Sequence, residues 1–340
     1  MHVELRSDTF TKPTPEMLEA MMAAPVGDDV FEEDPSVNSL EEKAAALFGM
    51  EKALFCPSGT MTNQIAINVH TRPGDEVICE EGSHVYFYEG GGIAKNSSCQ
   101  VRTISGNRGQ ITAQQIAAVI NPDDVHRART RLVSLENTCN RGGGSCYDIE
   151  AIADIQTLCK KHELSLHLDG ARLFNALVAK NQSPKDFGQL FDSISICLSK
   201  GLGAPVGSLL LGSAAFIKEA RRVRKVFGGG MRQAGFLAAA GSFALEHHIQ
   251  RLNLDHQHAQ LLGNALAEQS WVKQVLPVET NIVIFETAAH IPAAKVIEKF
   301  KNNQIYAVAT GPQHIRFVTH LDVSPIQIEY TIEQIKGLNL

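Results

Sequence analysis

The sequence predicts an α/β fold: a large domain whose mostly parallel sheet is covered by helices, followed by a smaller C-terminal α+β domain. Short apolar runs alternate with helical patterns over most of the chain, which is typical of βαβ units. The tail differs, because the apolar runs NIVIFET and HIRFVTH flank the helical segment AAKVIEKFKNN. The 340 residues suffice for two domains of the usual size, about 100–200 residues each.

The change of pattern gives the expected domain boundaries. Residues 1–15 are expected to form an N-terminal arm, 16–250 the large domain and 251–340 the small C-terminal domain. The opening segment contains Pro13, Pro15, Pro25 and Pro35, which favour turns over long helices. We expect it to lie as an arm or a short helix against another part of the molecule.

Individual elements follow in chain order. The first is a helix at 39–48, with Ser39 as its N-cap and Glu42 as the capping-box partner three residues later. Strands are predicted in KALFCPSG, DEVICEE, CQVRTIS, RTRLVSLENT, LSLHLDG, SISICLSKG and GSLLLG. Helices are predicted at 60–70, from near Val85, in ITAQQIAAVI, at 149–162, from Ala171 and, as one long stretch, at 233–267.

Charge and composition exclude a nucleic-acid-binding protein. The formal net charge is −6, and 44% hydrophobic with 20% charged residues is ordinary for a globular protein. The one basic cluster, RRVRK at 221–225, is interpreted as a solvated helix face, with an anion contact as the alternative.

Cysteine spacing and hydropathy indicate the cellular compartment in which the protein is expected. The seven cysteines are odd in number and lack a C-x-x-C pair, so they are expected to be reduced thiols, and no metal site is assigned. No run approaches the ~18 apolar residues of a membrane span, and the first residues lack the apolar core of a signal peptide. We therefore expect a soluble, cytoplasmic protein with no membrane partner.

The turn CPSGT joins a predicted strand to a predicted helix and is a candidate anion site. Ser58, Gly59 and Thr60 would lie where a helix begins, and the unpaired N–H groups there bind phosphate readily. A plain capped turn is the alternative. Neither a Walker motif nor a dinucleotide fingerprint is present.

Two charged residues follow apolar strands. Asp169 comes directly after the strand at 164–168, and Lys200 follows SISICLS. Ligands of open α/β sheets collect at such carboxyl ends, and burial favours the neutral, nucleophilic form of a lysine amine. The alternatives are a strand cap with a surface salt bridge for Asp169, and a lysine that extends to solvent for Lys200.

Taken together, the three features match the needs of pyridoxal phosphate. This cofactor requires an anion site, an acid that keeps its ring nitrogen protonated and a lysine that forms a Schiff base with it. The CPSGT turn, Asp169 and Lys200 supply these groups at the same edge of the predicted sheet.

Longer motifs resemble the low-specificity L-threonine aldolases of the β-eliminating lyase group, which are fold type I, aspartate-aminotransferase-like enzymes. The similarity runs from end to end through RSDT, EEDPSVNSLEEKAA, LFCPSGTMTNQIAI, EGSHVYFYEGGG, RTRLVSLENT, LDGARLFNA, LSKGLGAPVGSLLLG, GGGMRQAG and HIRFVTH. It implies retro-aldol cleavage of L-threonine, L-allo-threonine or a related L-3-hydroxy-α-amino acid to glycine and an aldehyde. It also implies a homo-oligomer, a tetramer in which dimers build the active sites.

The resemblance implies which residues bind the cofactor. Lys200 would carry it, Asp169 would pair with its ring nitrogen, and Arg172 would approach the ring oxygen. The phosphate would be bound by the turn residues Ser58, Gly59 and Thr60. Arg232, in GGGMRQAG, would reach the phosphate of a neighbouring subunit. Gly170 and Ala171 would leave room for the flat ring.

It also implies which residues bind substrate. Arg316, Ser7 and Arg172 would clamp the carboxylate. His84 would stack on the cofactor ring and His126 would face the substrate hydroxyl, and either histidine would act as the base, directly or through water. Without the resemblance, His84 would be interpreted as a loop histidine beside aromatic residues and His126 as a solvated residue.

Two positions depart from the usual pattern of the group. Phe31 replaces a tyrosine that many members carry, so selectivity at the β-carbon is left open, and Cys139 changes the common ENTHN to ENTCN. Other reactions of the same cofactor, namely β-elimination, transamination and racemisation, are the nearest alternatives. A non-catalytic, cofactor-binding regulatory protein is the alternative of a different class.

Overall fold

The computed structural model describes residues 1–338. The strands are β1 (Val3–Glu4), β2 (Lys52–Cys56), β3 (Glu76–Glu80), β4 (Gln100–Ile104), β5 (Thr130–Glu136), β6 (Ser165–Gly170), β7 (Ser193–Cys197), β8 (Ser208–Gly212), β9 (Val272–Val275), β10 (Ile282–Thr287), β11 (Ile305–Tyr306), β12 (Val308–Ala309) and β13 (His314–Val318). The helices are α1 (Pro15–Met22), α2 (Pro35–Phe48), α3 (Gly59–His70), α4 (His84–Phe87), α5 (Gly92–Ser97), α6 (Ala113–Ala117), α7 (Ile149–Lys161), α8 (Leu173–Lys180), α9 (Pro184–Leu190), α10 (Ala214–Val226), α11 (Gly235–His247), α12 (Leu252–Ala267), α13 (Ala293–Asn302) and α14 (Pro325–Lys336). Short 3-10 helices span Asp8–Phe10 and Asp29–Phe31.

Within residues 1–338 the main sheet has seven strands, in the order β2-β8-β7-β6-β5-β3-β4. Strand β8 pairs antiparallel with β2 and β7, and the other neighbouring pairs are parallel. Helices cover both faces: Leu54 and Leu210 pack with α3 and α10, whereas Phe55 and Leu209 belong to the core on the opposite face. The predicted mostly parallel sheet covered by helices is confirmed.

The C-terminal part contains an antiparallel sheet in the order β12-β13-β10-β9, packed with helices α12 to α14. Its core includes Phe285, Phe300 and Phe317, and the N-terminal residues Val3 and Leu5 belong to the same cluster. Strand β1 pairs in parallel with β11. The predicted α+β tail is therefore confirmed, while the domain boundaries at 15 and 250 stay a prediction.

Helix α2 begins earlier than the sequence pattern suggested, and the prediction of Ser39 as its N-cap is wrong. Asp34 caps the helix, since its Oδ1 accepts hydrogen bonds from the backbone N–H groups of Ser36 and Val37. Pro35 occupies the first helical position, where its fixed φ suits the helix and its missing N–H is not needed. Ser39 lies inside the helix on its exposed side.

The long helix predicted at 233–267 is two helices, α11 and α12. The chain turns at 248–251, where the side chain of His248 lies 2.7 Å from the carbonyl oxygen of Leu202. This contact links the turn to a loop distant in sequence, so periodicity alone did not reveal the break. The helix predicted from Ala171 begins two residues later, at Leu173.

None of the helices within residues 1–338 combines the length and the apolar character that crossing a membrane requires.

Candidate active site

The order of the main sheet reverses between β3 and β5. From β3 the chain continues outward to β4, whereas from β5 it continues in the opposite direction to β6 and β7. Ligands of open α/β sheets bind in the crevice outside the carboxyl ends of the strands at such a point. His84 follows β3, Asn140 follows β5, Asp169 lies near the end of β6 and Lys200 follows β7.

Buried polar side chains cross three neighbouring strands on the face covered by α3. The set consists of Ser134, Glu136, His167, Asp169, Ser193 and Ser195. Each is separated from the next in its strand by one leucine or isoleucine, so the polar residues share a face. The register sets Asp169 opposite Glu136 on one side and opposite Ser195 on the other.

Asp169 is 2% exposed and is held by two neutral donors. Its Oδ1 accepts a hydrogen bond from the backbone N–H of Ala171 at 3.1 Å, and its Oδ2 accepts one from the amide of Asn63 at 2.9 Å. It lies within β6 rather than just beyond it. The burial rules out the alternative of a surface salt bridge.

Asn63, on α3, contacts three members of this region. Its Nδ2 lies 2.9 Å from both Glu89 Oε1 and Asp169 Oδ2, and its Oδ1 lies 3.1 Å from His167 Nε2. Carboxylates only accept, so the amide nitrogen faces them and His167 donates from Nε2. Burial lowers the pKa of His167 to about 3, so its ring is neutral and Nδ1 accepts from Ser193 at 2.8 Å.

His84 is oriented by two buried carboxylates. Its Nδ1 lies 2.9 Å from Glu89 Oε1, and its backbone N–H donates to Glu136 Oε2 at 2.6 Å. Burial opposes protonation of the ring, but the hydrogen bond with Glu89 and the charge of Asp169 outweigh it, and the pKa of His84 is raised. Because Glu89 accepts from Nδ1, the neutral ring presents an unprotonated Nε2.

Glu136 joins the start of α4, at His84, to the loop that follows β5. Its Oε1 accepts from the backbone N–H of Asn140 at 2.7 Å, and Asn140 Oδ1 in turn accepts from Arg316 Nη1 at 2.8 Å. Burial and the nearby charge of Asp169 raise the pKa of Glu136 to about 7.

Arg172 forms a buried ion pair that the sequence did not reveal. Its Nε and Nη2 donate to the two carboxylate oxygens of Asp8 at 2.7 and 2.6 Å. Burial of Asp8 would raise its pKa, but the charge of Arg172 outweighs it and holds the pKa at about 2. Ser7 begins the same short 3-10 helix, and its Oγ accepts from the backbone N–H of Thr9. The third guanidinium nitrogen of Arg172, Nη1, makes no hydrogen bond within residues 1–338.

Arg316, on β13, is fixed at both ends of its guanidinium. Nη1 donates to Asn140, Nη2 donates to the carbonyl oxygen of Arg6 at 3.1 Å, and the buried Nε has no partner within residues 1–338. Burial and the charge of Arg172 lower the pKa of Arg316. Two neighbouring guanidinium groups of this kind favour an anion between them.

Lys200 lies three residues beyond the end of β7 and is half-buried. Its carbonyl oxygen accepts from Thr11 Oγ1 at 2.8 Å, which ties the loop to the N-terminal segment. The charge of its amine contributes to the lowered pKa of Asp8 and partly opposes the raised pKa of His84.

The start of α3 retains the features expected of an anion site. Ser58 is the N-cap, and its Oγ accepts from the backbone N–H of Met61 at 3.2 Å. The neighbouring Ser208 Oγ is buried, has no hydrogen-bond partner among the described residues, and lies 3.5 Å from where a Cβ on Gly59 would be. A buried unpaired hydroxyl beside the N–H groups of a helix start favours an anionic ligand.

The sequence profile of the beta-eliminating lyases matches residues 4–290. The chain belongs to the beta-eliminating lyase family. It is 45% identical over 327 residues to the low specificity L-threonine aldolase of Escherichia coli (strain K12), with 96% of each chain covered.

Solved structures share the fold of this family member. A Leishmania major threonine aldolase superimposes with a TM-score of 0.87 at 22% identity, covering 98% of this chain and 99% of the other. A structure of SPT with PLP internal aldimine has a TM-score of 0.78 at 14% identity, covering 99% of this chain and 87% of the other. The predicted fold type I architecture is confirmed, as is the resemblance to the threonine aldolases.

Two predicted site residues of this lyase-family chain do not join the others within one chain. His126 precedes the amino end of β5, at the sheet edge opposite the crevice; its side chain is 86% exposed and pairs with Asp124. Arg232 is 55% exposed and pairs with Asp28 at 2.9 Å. Their roles in the site stay predictions.

Phe31 and Cys139, which depart from the group pattern, and Gly170, which follows Asp169, lie in three different surroundings. Phe31 is 70% exposed at the end of a 3-10 helix. Cys139 is buried against Gly109, where an added Cβ would lie 2.7 Å from the cysteine Cβ. A Cβ on Gly170 would lie 2.6 Å from the carbonyl oxygen of Ser195, so this glycine is required by the packing of β6 against β7.

Sequence reasoning did not find Asp8, Asn63, Glu89 or Glu136. For Glu136 a signal exists, because serine and glutamate alternate with leucine in β5 as polar residues alternate in β6 and β7. Asn63 and Glu89 lie within the motifs LFCPSGTMTNQIAI and EGSHVYFYEGGG, but no local spacing assigns a role to either, and only the packing of α3 and the loop after α4 brings them to Asp169.

Proposed function

We propose that this lyase-family chain binds pyridoxal phosphate and cleaves L-threonine, L-allo-threonine or a related L-3-hydroxy-α-amino acid to glycine and an aldehyde. The observation that carries the proposal is the convergence on one crevice of the half-buried Lys200, the buried acid Asp169 and the start of α3. The relatives named threonine aldolase support the choice of reaction.

The residues present fit the cofactor. The N–H groups at the start of α3 and the unpaired hydroxyl of Ser208 suit a phosphate, with Ser58, Gly59 and Thr60 in the turn. Asp169 would hold a proton at the ring nitrogen, and the amine of Lys200 would attach the cofactor. When bound, pyridoxal phosphate supplies an electron sink for the carbanion left by Cα–Cβ cleavage.

The substrate carboxylate would bind at the paired guanidinium groups. The buried Nε of Arg316 has no partner within residues 1–338, and the charge of Arg172, whose Nη1 makes no hydrogen bond there, acts on the Arg316 guanidinium. Asn140 and the carbonyl oxygen of Arg6 hold Arg316, and Asp8 holds Arg172, so neither group needs to reorganise on binding. Ser7, beside Asp8, would complete this clamp.

His84 is the base that the geometry favours. Its Nδ1–H donates to Glu89, so Nε2 is free to accept the proton of the substrate β-hydroxyl. Removal of this proton lets the oxygen become a carbonyl as the Cα–Cβ bond breaks. His126 would take part only from another subunit.

The decisive experiment replaces the proposed attachment residue. Lys200→Ala is expected to abolish both the absorbance of the covalently bound cofactor and turnover, whereas Lys160→Ala, on the exposed side of α7, leaves both unchanged. Retained turnover in Lys200→Ala would contradict the assignment. Product analysis separates the alternatives, because aldol cleavage of threonine yields glycine and acetaldehyde, while β-elimination yields 2-oxobutanoate and ammonia.

A second copy of the chain is proposed to complete each site, within a homotetramer. His126 and Arg232 are exposed, and the aromatic side chains of Tyr86, Phe87 and Tyr88 beside His84 are 45–55% exposed. Sedimentation of the purified protein measures the number of chains in the assembly.

We also propose a cytoplasmic location. All seven cysteines are free and buried, which fits a reducing compartment, and a fluorescent fusion would test the location.

A further inference from the structure

We propose that Asn63 is a positioning residue that fixes the relative placement of the acid Asp169 and the base His84. The inference rests on the proposed function for the roles of these two groups. Its structural basis is the single amide nitrogen of Asn63, which donates to Asp169 and to Glu89 at 2.9 Å each, while Glu89 holds the ring of His84.

The amide of Asn63 reduces the repulsion between two buried carboxylates. Asp169 and Glu89 are both buried, and one polar atom from each of them and from His84 lies within 4.8 Å of the other two. Like charges at this separation repel strongly in a medium of low dielectric constant. The two hydrogens of one NH₂ group point to the two carboxylates and therefore stabilise both ionised groups in one arrangement.

A chain of buried polar contacts extends from the oxygen of this amide. His70 Nε2 lies 2.8 Å from Ser193 Oγ, Ser193 lies 2.8 Å from His167 Nδ1, and His167 Nε2 lies 3.1 Å from Asn63 Oδ1. Burial lowers the pKa of His70 to about 4 and that of His167 to about 3, so both rings are neutral. Because the two carboxylates only accept, the nitrogen of Asn63 faces them, and its oxygen accepts from Nε2 of the neutral His167.

The test exchanges the donor for an acceptor of the same size. In Asn63→Asp the oxygen toward His167 is kept, and the NH₂ group becomes an oxygen that faces Glu89 and Asp169. The titratable groups in contact with this position are Glu89, Asp169 and His167, with His84 next to Glu89. Burial and the two carboxylates would raise the pKa of the introduced carboxyl, which donates a hydrogen bond only while protonated.

The sign of the pH dependence follows from that raised pKa. Stabilisation by the protonated carboxyl is present at low pH and is lost as the pH rises through its pKa in the folded protein. The single O–H of the protonated carboxyl can donate to one of the two carboxylates, and the ionised carboxyl can donate to neither. Relative to the parent protein, we therefore expect cofactor-free Asn63→Asp to lose clearly more urea resistance at about pH 8.5 than at about pH 5.5. Pyridoxal phosphate, followed by absorbance, is expected to bind at least about tenfold more weakly at the higher pH and less than about threefold more weakly at the lower.

Asn68→Asp is the matched control. Asn68 lies on the same helix, and its Nδ2 donates to the carbonyl oxygen of Asn96 at 2.8 Å, away from both carboxylates. This variant is expected to bind the cofactor like the parent protein at both pH values and to lose less urea resistance at the higher pH than Asn63→Asp.

Each outcome decides the proposal. An Asn63→Asp protein whose urea resistance has the pH dependence of the control would overturn the bridge between the carboxylates. A pH-dependent urea resistance with unchanged cofactor affinity would overturn the positioning role. A parent protein that binds no pyridoxal phosphate would refute the proposed function instead, and the urea measurements on the cofactor-free protein would still decide whether Asn63 bridges Asp169 and Glu89.

Discussion

At the scale of single residues, the buried carboxylates at the crevice differ in pKa because the charged groups beside them differ. Asp8 faces the guanidinium of Arg172, which holds its pKa at about 2, whereas burial and the charge of Asp169 raise the pKa of Glu136 to about 7. Asp8 is therefore a permanent counter-ion near neutral pH, and Glu136 changes charge in the range in which enzymes usually work.

The pair of Glu89 and His84 makes a testable prediction about pH dependence. Glu89→Gln removes the negative partner that opposes the effect of burial on His84, so the pKa of His84 should fall. A base acts only when unprotonated, so the acidic limb of the kcat profile should move to lower pH by about one unit.

Glu81→Gln is the control for this change. Glu81 is exposed and accepts a hydrogen bond from Ser105, so the profile should stay where it is in the parent protein. An unshifted acidic limb in Glu89→Gln would mean that His84 is not the group whose protonation limits the rate.

At the scale of elements, one carboxylate anchors three segments. Asp34 caps α2 through Ser36 and Val37, and its Oδ2 also accepts from the backbone N–H groups of Gly27 and Gly235. The N-cap therefore also joins the segment before α2 to the start of α11. A capping rule based on local spacing does not include such tertiary donors.

Asp34→Ala is expected to lower the free energy of unfolding by at least about 2 kcal/mol, because a cap is lost and buried N–H groups lose their acceptor. Ser39→Ala, at the position that the sequence pattern favoured, is expected to change it by less than about 0.5 kcal/mol. Urea unfolding of the two variants compares them directly. Equal losses would indicate that the cap of α2 contributes little.

At the scale of the whole molecule, the crevice collects residues from both ends of the chain. Asp8 comes from the N-terminal segment, Asp169 and Lys200 from the main sheet, and Arg316 from the C-terminal sheet. Strand β1 pairs with β11, and the carbonyl oxygen of Arg6 holds the Arg316 side chain. The proposed carboxylate clamp therefore exists only when both ends are folded against each other.

The proposed contribution of a second subunit predicts complementation. Lys200→Ala and Arg232→Ala chains are each expected to be poorly active. A mixed oligomer purified with two different tags contains pairs of unlike chains (each called a heterodimer below), and one site of such a pair has both residues intact. Threonine cleavage by the heterodimer should therefore exceed that of either parent variant. If Arg232 acts within its own chain, both sites of the heterodimer are defective and no activity is recovered.

The sequence by itself determined the α/β architecture, the C-terminal α+β part and the family. Alternation of apolar strands with helices reflects burial of a parallel sheet on both faces, and this pattern is local enough to be seen without coordinates. The motifs around Asp169 and Lys200 were likewise visible, because strand ends are marked by the change from apolar to polar residues.

The tertiary structure decided which side chains act together. The ion pair of Asp8 with Arg172 and the bridge from Asn63 to Asp169 join residues more than a hundred positions apart, and no local pattern marks either contact. His126 is the opposite case: the residues alone suggested a solvated histidine, and the structure places it before the amino end of β5, away from the crevice. Local periodicity reports which face of an element is buried, whereas the partner of a buried charge is set by how those faces pack.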